Sequence, residues 1–217
     1  MASRKEKALE IYHQLEILFP DAHCELDHTT PFQLAVAVLL SAQTTDVSVN
    51  KVTPALFAKY PDAFAMSQAE IGNIESYIRT LGLYRNKAKN IKEMSQRLVE
   101  VYHGEMPRTR EELMTLAGIG RKSANVILSV CFDVPSLAVD THVERVSKRL
   151  GLCPQKSTVL EVEKRVTSLL PIEYWNKAHH LLIFFGRYLC KAQRPMCDTC
   201  PLTHYCKEYP KRVNKQV

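Results

Sequence analysis

Four of the chain's seven cysteines lie within its last 28 residues, at Cys190, Cys197, Cys200 and Cys206, a spacing of C-x(6)-C-x(2)-C-x(5)-C. Four thiolates at such intervals hold a soft cation, and either zinc or a four-iron cluster satisfies the ligand type. A structural zinc site usually pairs two C-x-x-C units, whereas here a single such unit is flanked by wider gaps. Pro195 and Pro201 bend the chain between the cysteines, and Lys191, Arg194 and Lys207 could offset the negative charge of a thiolate-bound cluster. Cys24, Cys131 and Cys153 are scattered and read as small structural hydrophobes. With no secretion signal at the N-terminus, this cysteine usage points to metal or thiol chemistry rather than a disulfide framework.

A second constellation runs from Leu116 to Ala124, L-A-G-I-G-R-K-S-A, where two glycines separated by one apolar residue lie between two helical segments. Glycine supplies backbone angles closed to other residues and lets a second backbone approach closely, so a tight helix-to-helix hairpin fits. The first amides of the second helix, with the positive end of its dipole, form a seat for phosphate. A G-x-G between helices is by itself a weak signal that a plain turn also explains. The residues after it are more specific. The apolar stripe of the second helix is Ala124, Ile127, Leu128 and Cys131, and at about 100° per residue Lys122 lies nearly opposite it. There the dipole repels an ammonium and favours the neutral amine that nucleophilic attack requires, although a phosphate-binding surface lysine is a competing reading. Beyond it, Asp140 precedes an amphipathic helix marked by Val139, Val143, Val146 and Leu150, with Glu144, Arg145, Lys148 and Arg149 pointing elsewhere, and it fits the N-cap of that helix. His142 reads as a structural hydrogen-bonding residue.

The elements that must hold these residues are helical. No stretch shows a sustained period-two alternation, and helical spacing recurs throughout, so an all-α chain of about ten helices joined by short loops is predicted. Ser67 with Glu70 and Thr109 with Glu112 fit capping boxes, Asp46 fits the N-cap of its helix, and prolines and glycines punctuate the rest. The longest apolar run, Leu34 to Leu40, is far short of the roughly 20 residues that cross a bilayer, which excludes a membrane span. Residues 1–18 mix acids and bases among apolar positions and read as a helix of a cytoplasmic protein. The net charge of +6 favours polyanions, and residues 190–217 hold six Lys or Arg against two acids. The basic end after Pro210 reads as a frayed solvated tail.

The runs L-A-G-I-G-R-K-S-A-N-V-I and V-D-T-H-V-E-R-V-S-K-R-L-G, together with the four-cysteine loop, resemble the helix-hairpin-helix, catalytic aspartate and [4Fe-4S] segments of the endonuclease III family. The likeness extends from F-P-D-A-H-C at Phe19 to Cys206. It implies a two-lobed helix-hairpin-helix DNA glycosylase fold: a six-helix barrel lobe over residues 21–134, and an iron-sulfur cluster lobe formed by residues 1–20 with 135–217. It also implies a bifunctional enzyme of base excision repair, which removes oxidised pyrimidines from duplex DNA and cleaves 3′ to the abasic site by β-elimination. Lys122 would form the Schiff base, Asp140 would assist by stabilising cationic character at the sugar, and DNA would lie between them. Cys190, Cys197, Cys200 and Cys206 would hold the [4Fe-4S] cluster, with Lys191 and Arg194 in a phosphate-contacting loop. Gly118, Gly120 and Arg121 would contact DNA at the hairpin. Gln43, in L-L-S-A-Q-T-T-D, resembles the residue inserted into the base stack, and Leu83, in G-L-Y-R-N-K-A, its partner wedge. Read blandly, Gln43 ends an apolar helix, Leu83 is an interhelix contact, and Lys87 and Lys89 are surface cations as readily as phosphate ligands. Asp46 lies where the family has a pocket acid.

The partner implied is double-stranded DNA containing damaged bases or abasic sites, bound by a monomer. One departure is visible: the family usually has proline where this chain has Ala117, which predicts a modest stability cost and unchanged chemistry. Two other functions fit less well. A monofunctional mismatch adenine glycosylase is disfavoured by the presence of Lys122 and by the lack of a further recognition domain after residue 217. A non-enzymatic iron-sulfur DNA-binding protein would release no base.

Overall fold

The computed structural model describes residues 3–213, which form only helices and connecting turns. In chain order the α-helices are α1 (Arg4–Leu18), α2 (Pro31–Leu40), α3 (Asp46–Lys59), α4 (Ala63–Gln68), α5 (Ile71–Ile78), α6 (Tyr84–Tyr102), α7 (Arg110–Leu113), α8 (Arg121–Phe132), α9 (Thr141–Arg149), α10 (Val159–Leu169), α11 (Trp175–Phe184) and α12 (Tyr209–Val213). A π-helical turn, Phe185–Leu189, leads into Cys190. The residues fall into two compact units, Cys24–Val134 and a second made of the chain up to His23 with the chain from Pro135 onward.

In the Cys24–Val134 unit the long apolar run is a core helix. Leu34 to Leu40 are all buried, so α2 is apolar on every side and packs against α3, α6 and α8. No helix among the described residues is long and apolar enough to cross a membrane. α6 lines α4 and α5 with Ala88, Ile91, Met94 and Leu98, all buried. In the other unit α1 packs on α10 and α11, and α9 on α11 and the π turn. Ile11, Leu15, Val143, Val146, Val162, Leu181 and Phe185 are among the residues of that core.

Several helix starts differ from expectation. Ser67 is inside α4, its Oγ bonded to Phe64 O (2.8 Å), because Asp62 has already capped that helix through Ala65 N. α5 begins at Glu70 without a side-chain cap, so Ser67 and Glu70 form no capping box. Thr109 does cap α7, accepting from Glu112 N, but its hydroxyl also donates to the Glu112 carboxylate (2.6 Å). Thr45 rather than Asp46 caps α3, which leaves Asp46 as the first helical residue. Reciprocal capping boxes occur instead at Ser3–Glu6 and Thr158–Glu161. Past Pro210 the chain stays helical to Val213, and the remainder of the basic tail lies outside the described residues, as do Met1 and Ala2.

Candidate functional site

The hairpin forms from two glycines that do different work. Gly118 has φ +76°, and a Cβ there would meet Leu39 Cδ1 at 2.8 Å and Asn90 Cβ at 3.2 Å, so both backbone angle and space require glycine. Gly120, the N-cap of α8, has φ −93° and nothing within 4 Å of an added Cβ. The fold itself therefore does not need glycine at 120; a close external approach to its backbone would. Gly118→Ala should cost about 1–3 kcal/mol from left-handed strain and local repacking, lowering Tm by roughly 2–4 °C per kcal/mol. Gly120→Ala should leave Tm unchanged. Thermal melts test this pair; a Gly120→Ala protein that melts early would show an internal role.

α8 is more enveloped than its stripe suggested. Ala124, Asn125, Val126, Ile127, Leu128 and Ser129 are all buried, and Asn125 Oδ1 takes Arg110 Nε at 2.7 Å, which ties α7 to α8. Cys131 is only half-buried; burial pushes its thiol up to about 11, and neighbouring Cys24 pushes the same way. Lys122 is exposed in the first turn of α8, and Arg121 beside it is half-buried.

Gln43 lies past the end of α2, in the turn before α3, and is exposed with φ +54°. Leu83, at the N-cap of α6, has φ +59° and is 59% exposed, which overturns the interhelix-contact reading. Left-handed backbone is uncommon outside glycine. Of the five such non-glycine residues among those described, His103 and Asp133 are ordinary left-handed helix C-caps. Gln43, Leu83 and Arg194 have no such explanation, and strain of this kind concentrates where function needs a particular side-chain direction. Lys89 is exposed and pairs with Glu93 at 3.8 Å, but Lys87 is buried, contrary to its reading as a surface cation.

In the other unit Asp140 caps α9: its Oδ1 accepts from His142 N and Val143 N, both at 2.8 Å. His142 is half-buried, its imidazole held below the usual range mainly by burial, and its Nδ1 lies 3.2 Å from Arg145 Nη2. The charged side of α9 is occupied as well. Arg145 Nη2 donates to Gly186 O (2.9 Å) and Cys190 O (3.3 Å), while Arg149 Nη1 donates to Lys191 O (2.8 Å) and reaches Cys190 Sγ (3.4 Å). Arg149 Nη2 reaches Ala192 O at 3.1 Å. Sequence reasoning only pointed these two arginines away from the apolar stripe and gave them no partner, yet their i, i+4 spacing puts them on one face of α9 and was the available signal.

Cys190, Cys197, Cys200 and Cys206 line one narrow pocket with Leu150, Phe185, Leu189 and Met196, a cavity of about 20 Å³ that is partly open to solvent. Burial pushes the Cys197 and Cys200 thiols up, and the surrounding sulfurs push both the same way. Among the described residues no three His, Cys, Asp or Glu side chains converge at the spacing of a single metal ion. Lys191 and Arg194 are exposed in the loop between the first two cysteines. Cys153 is buried, as a structural residue should be.

Residues 36–171 match the HhH-GPD superfamily of base excision DNA repair proteins. The chain is 55% identical to endonuclease III of Bacillus subtilis strain 168, over 91% of this chain and 90% of that protein. It is 42% identical to endonuclease III of Escherichia coli K12, over 97% and 99% of the two chains. Its structure aligns with that of a trapped endonuclease III–DNA covalent intermediate at a TM-score of 0.94, with 52% identity and coverage of 98% of this chain and all of the other. A thermostable thymine-DNA glycosylase shares the fold at 20% identity and a TM-score of 0.88. With identity of this order along nearly its whole length, the chain belongs to the endonuclease III family of the HhH-GPD superfamily.

Proposed function

We propose that the protein is a bifunctional DNA glycosylase and abasic-site lyase, acting on oxidised pyrimidines in duplex DNA. The observation that carries this is Lys122, an exposed amine in the first turn of a helix entered through a glycine hairpin, in a chain 52% identical to an enzyme trapped covalently on DNA. The Lys122 amine attacks the sugar C1′ as the glycosidic bond breaks and its electron pair leaves with the base. Ring opening gives an iminium, loss of a C2′ proton expels the 3′ phosphate, and water then releases the lysine. Asp140 stabilises positive charge developing on the sugar. The exposed amides at Gly118 and Gly120, with Arg121, seat a phosphate of the damaged strand. Gln43 and Leu83, exposed on left-handed backbone, fill the space left when the damaged nucleotide is extruded.

Cys190, Cys197, Cys200 and Cys206 hold a [4Fe-4S] cluster in this reading. Four thiols lining one pocket supply the donor set that such a cluster takes, with Lys191 and Arg194 exposed on the same loop to offset its negative charge. Bound by these four cysteines, such a cluster would fix the loop that carries Lys191 and Arg194, and Arg149 donates to the Cys190 sulfur.

The test is a duplex with a single oxidised pyrimidine. Base release followed by strand scission 3′ to the lesion is expected, from a brown protein with broad visible absorbance. Base release with an intact backbone would point to a monofunctional glycosylase, and neither event to a binding protein.

A further inference from the structure

Lys87 is 4% exposed, in the first turn of α6, and it joins two separate segments. Its backbone amide donates to Leu83 O (3.0 Å), closing the turn that presents Leu83. Its ammonium donates to Thr44 Oγ1 (2.7 Å), and that hydroxyl lies 3.3 Å from Ala42 O and donates to it. The chain of bonds thus brackets Gln43 on both sides. Thr44 N also bonds back to Ser41 O (3.1 Å), so the left-handed Gln43 sits in a short turn whose side-chain anchor is Lys87. Burying an ammonium is costly unless it is well bonded, and burial holds this one below the usual lysine range. A leucine or methionine would fill the same place in the stripe of Ile91, Met94 and Leu98 without that cost. The retained charge calls for a function, and phosphate contact is closed to a buried side chain.

We infer that Lys87 is a positioning residue that fastens the Gln43 turn to the Leu83 turn, so that the two side chains enter the base stack as one preset unit. This rests on the assignment of Gln43 and Leu83 to base-stack insertion. Two wedges fixed to each other lose less conformational freedom on binding than two mobile ones, and they hold the extruded geometry longer.

The experiment compares two substrates under single-turnover conditions: a paired duplex with an oxidised pyrimidine, which needs extrusion and hole-filling, and single-stranded abasic DNA, which needs neither. Lys87→Met should slow base excision from the duplex by about 10- to 100-fold while leaving single-strand scission within about twofold. Its Tm should be equal or higher, because a buried charge has gone. A 2-aminopurine beside the lesion should show reduced unstacking. Thr44→Val cuts the bond at its other end and should act in the same direction, and the double variant should be no worse than the stronger single one. The Thr44 variant keeps the test open if Lys87→Met folds poorly. Equal loss on both substrates, or no loss on either, overturns the coupling. Gln43→Ala and Leu83→Ala serve as controls. If they leave the ratio between substrates unchanged, base-stack insertion itself fails and the coupling falls with it. If they change the ratio and Lys87→Met does not, only the coupling fails.

Discussion

Lys122→Gln should give a folded protein that no longer nicks DNA and leaves no adduct on borohydride treatment. Lys122 is exposed in the first turn of α8, so glutamine, a comparable helix former, should change stability by no more than about 0.5 kcal/mol. Glutamine has no amine to form an iminium, and loss of the covalent nucleophile should lower strand scission by at least about 10³-fold. The competing reading is a lysine that only binds phosphate at the hairpin, and Lys122→Arg separates the two. Arginine keeps the charge and makes better phosphate contacts, but it stays protonated and cannot act as a nucleophile. Scission restored by arginine would demote Lys122 to a phosphate contact. Loss in both variants, with DNA binding kept in the arginine one, establishes the Schiff base. Borohydride reduces the iminium carbon to an amine, so a stable cross-link in the parent and none in either variant reads the same step directly.

The local features of the candidate site were more legible in the sequence than the contacts that support them. The glycine hairpin, the cysteine spacing and the Asp140 cap are each local, set by a few adjacent residues and the backbone bonds they make. Asp140 is an N-cap because the His142 and Val143 amides need an acceptor, and no distant residue alters that need. Ser67 shows where local grammar stops. Its spacing to Glu70 matches a cap, yet Asp62 starts a helix five residues earlier and Ser67 is buried within it. Two starts were written into one stretch, and packing of α4 on α6 decided between them. Lys87 shows a different failure. It lies four residues before Ile91 and seven before Met94, in register with the buried face of α6, so its burial was readable from spacing alone. Its charge outweighed its position. What no spacing could supply was Thr44, more than forty residues away, as the ammonium's partner. The same holds for Arg145 and Arg149, whose face was legible but whose acceptors, the carbonyls of the cysteine loop, depend on how α9 meets the π turn.

Asp140 caps α9, and the proposed mechanism gives it a second task that substitutions can separate from the first. Both of its capping bonds fall on Oδ1, which leaves Oδ2 outside the cap. Asparagine keeps an oxygen at the first position and caps helices as well as aspartate does, so Asp140→Asn should retain Tm and DNA affinity. It removes the negative charge, and with it the stabilisation of positive charge on the sugar as the base departs. Removing one preorganised electrostatic group costs about 10²–10³ in rate, and base excision in Asp140→Asn should fall by that order. Asp140→Ala should lose turnover to the same extent and about 1 kcal/mol of stability besides, since the His142 and Val143 amides lose their acceptor. Asp140→Ser completes the set, because serine caps but carries no charge; its stability should follow asparagine and its rate should follow alanine. Capping alone would give the opposite ranking, with asparagine and serine active and only alanine impaired. Single-turnover excision rates for the three variants, each beside its melting curve, therefore decide whether the aspartate is retained for the helix it starts or for the charge it carries.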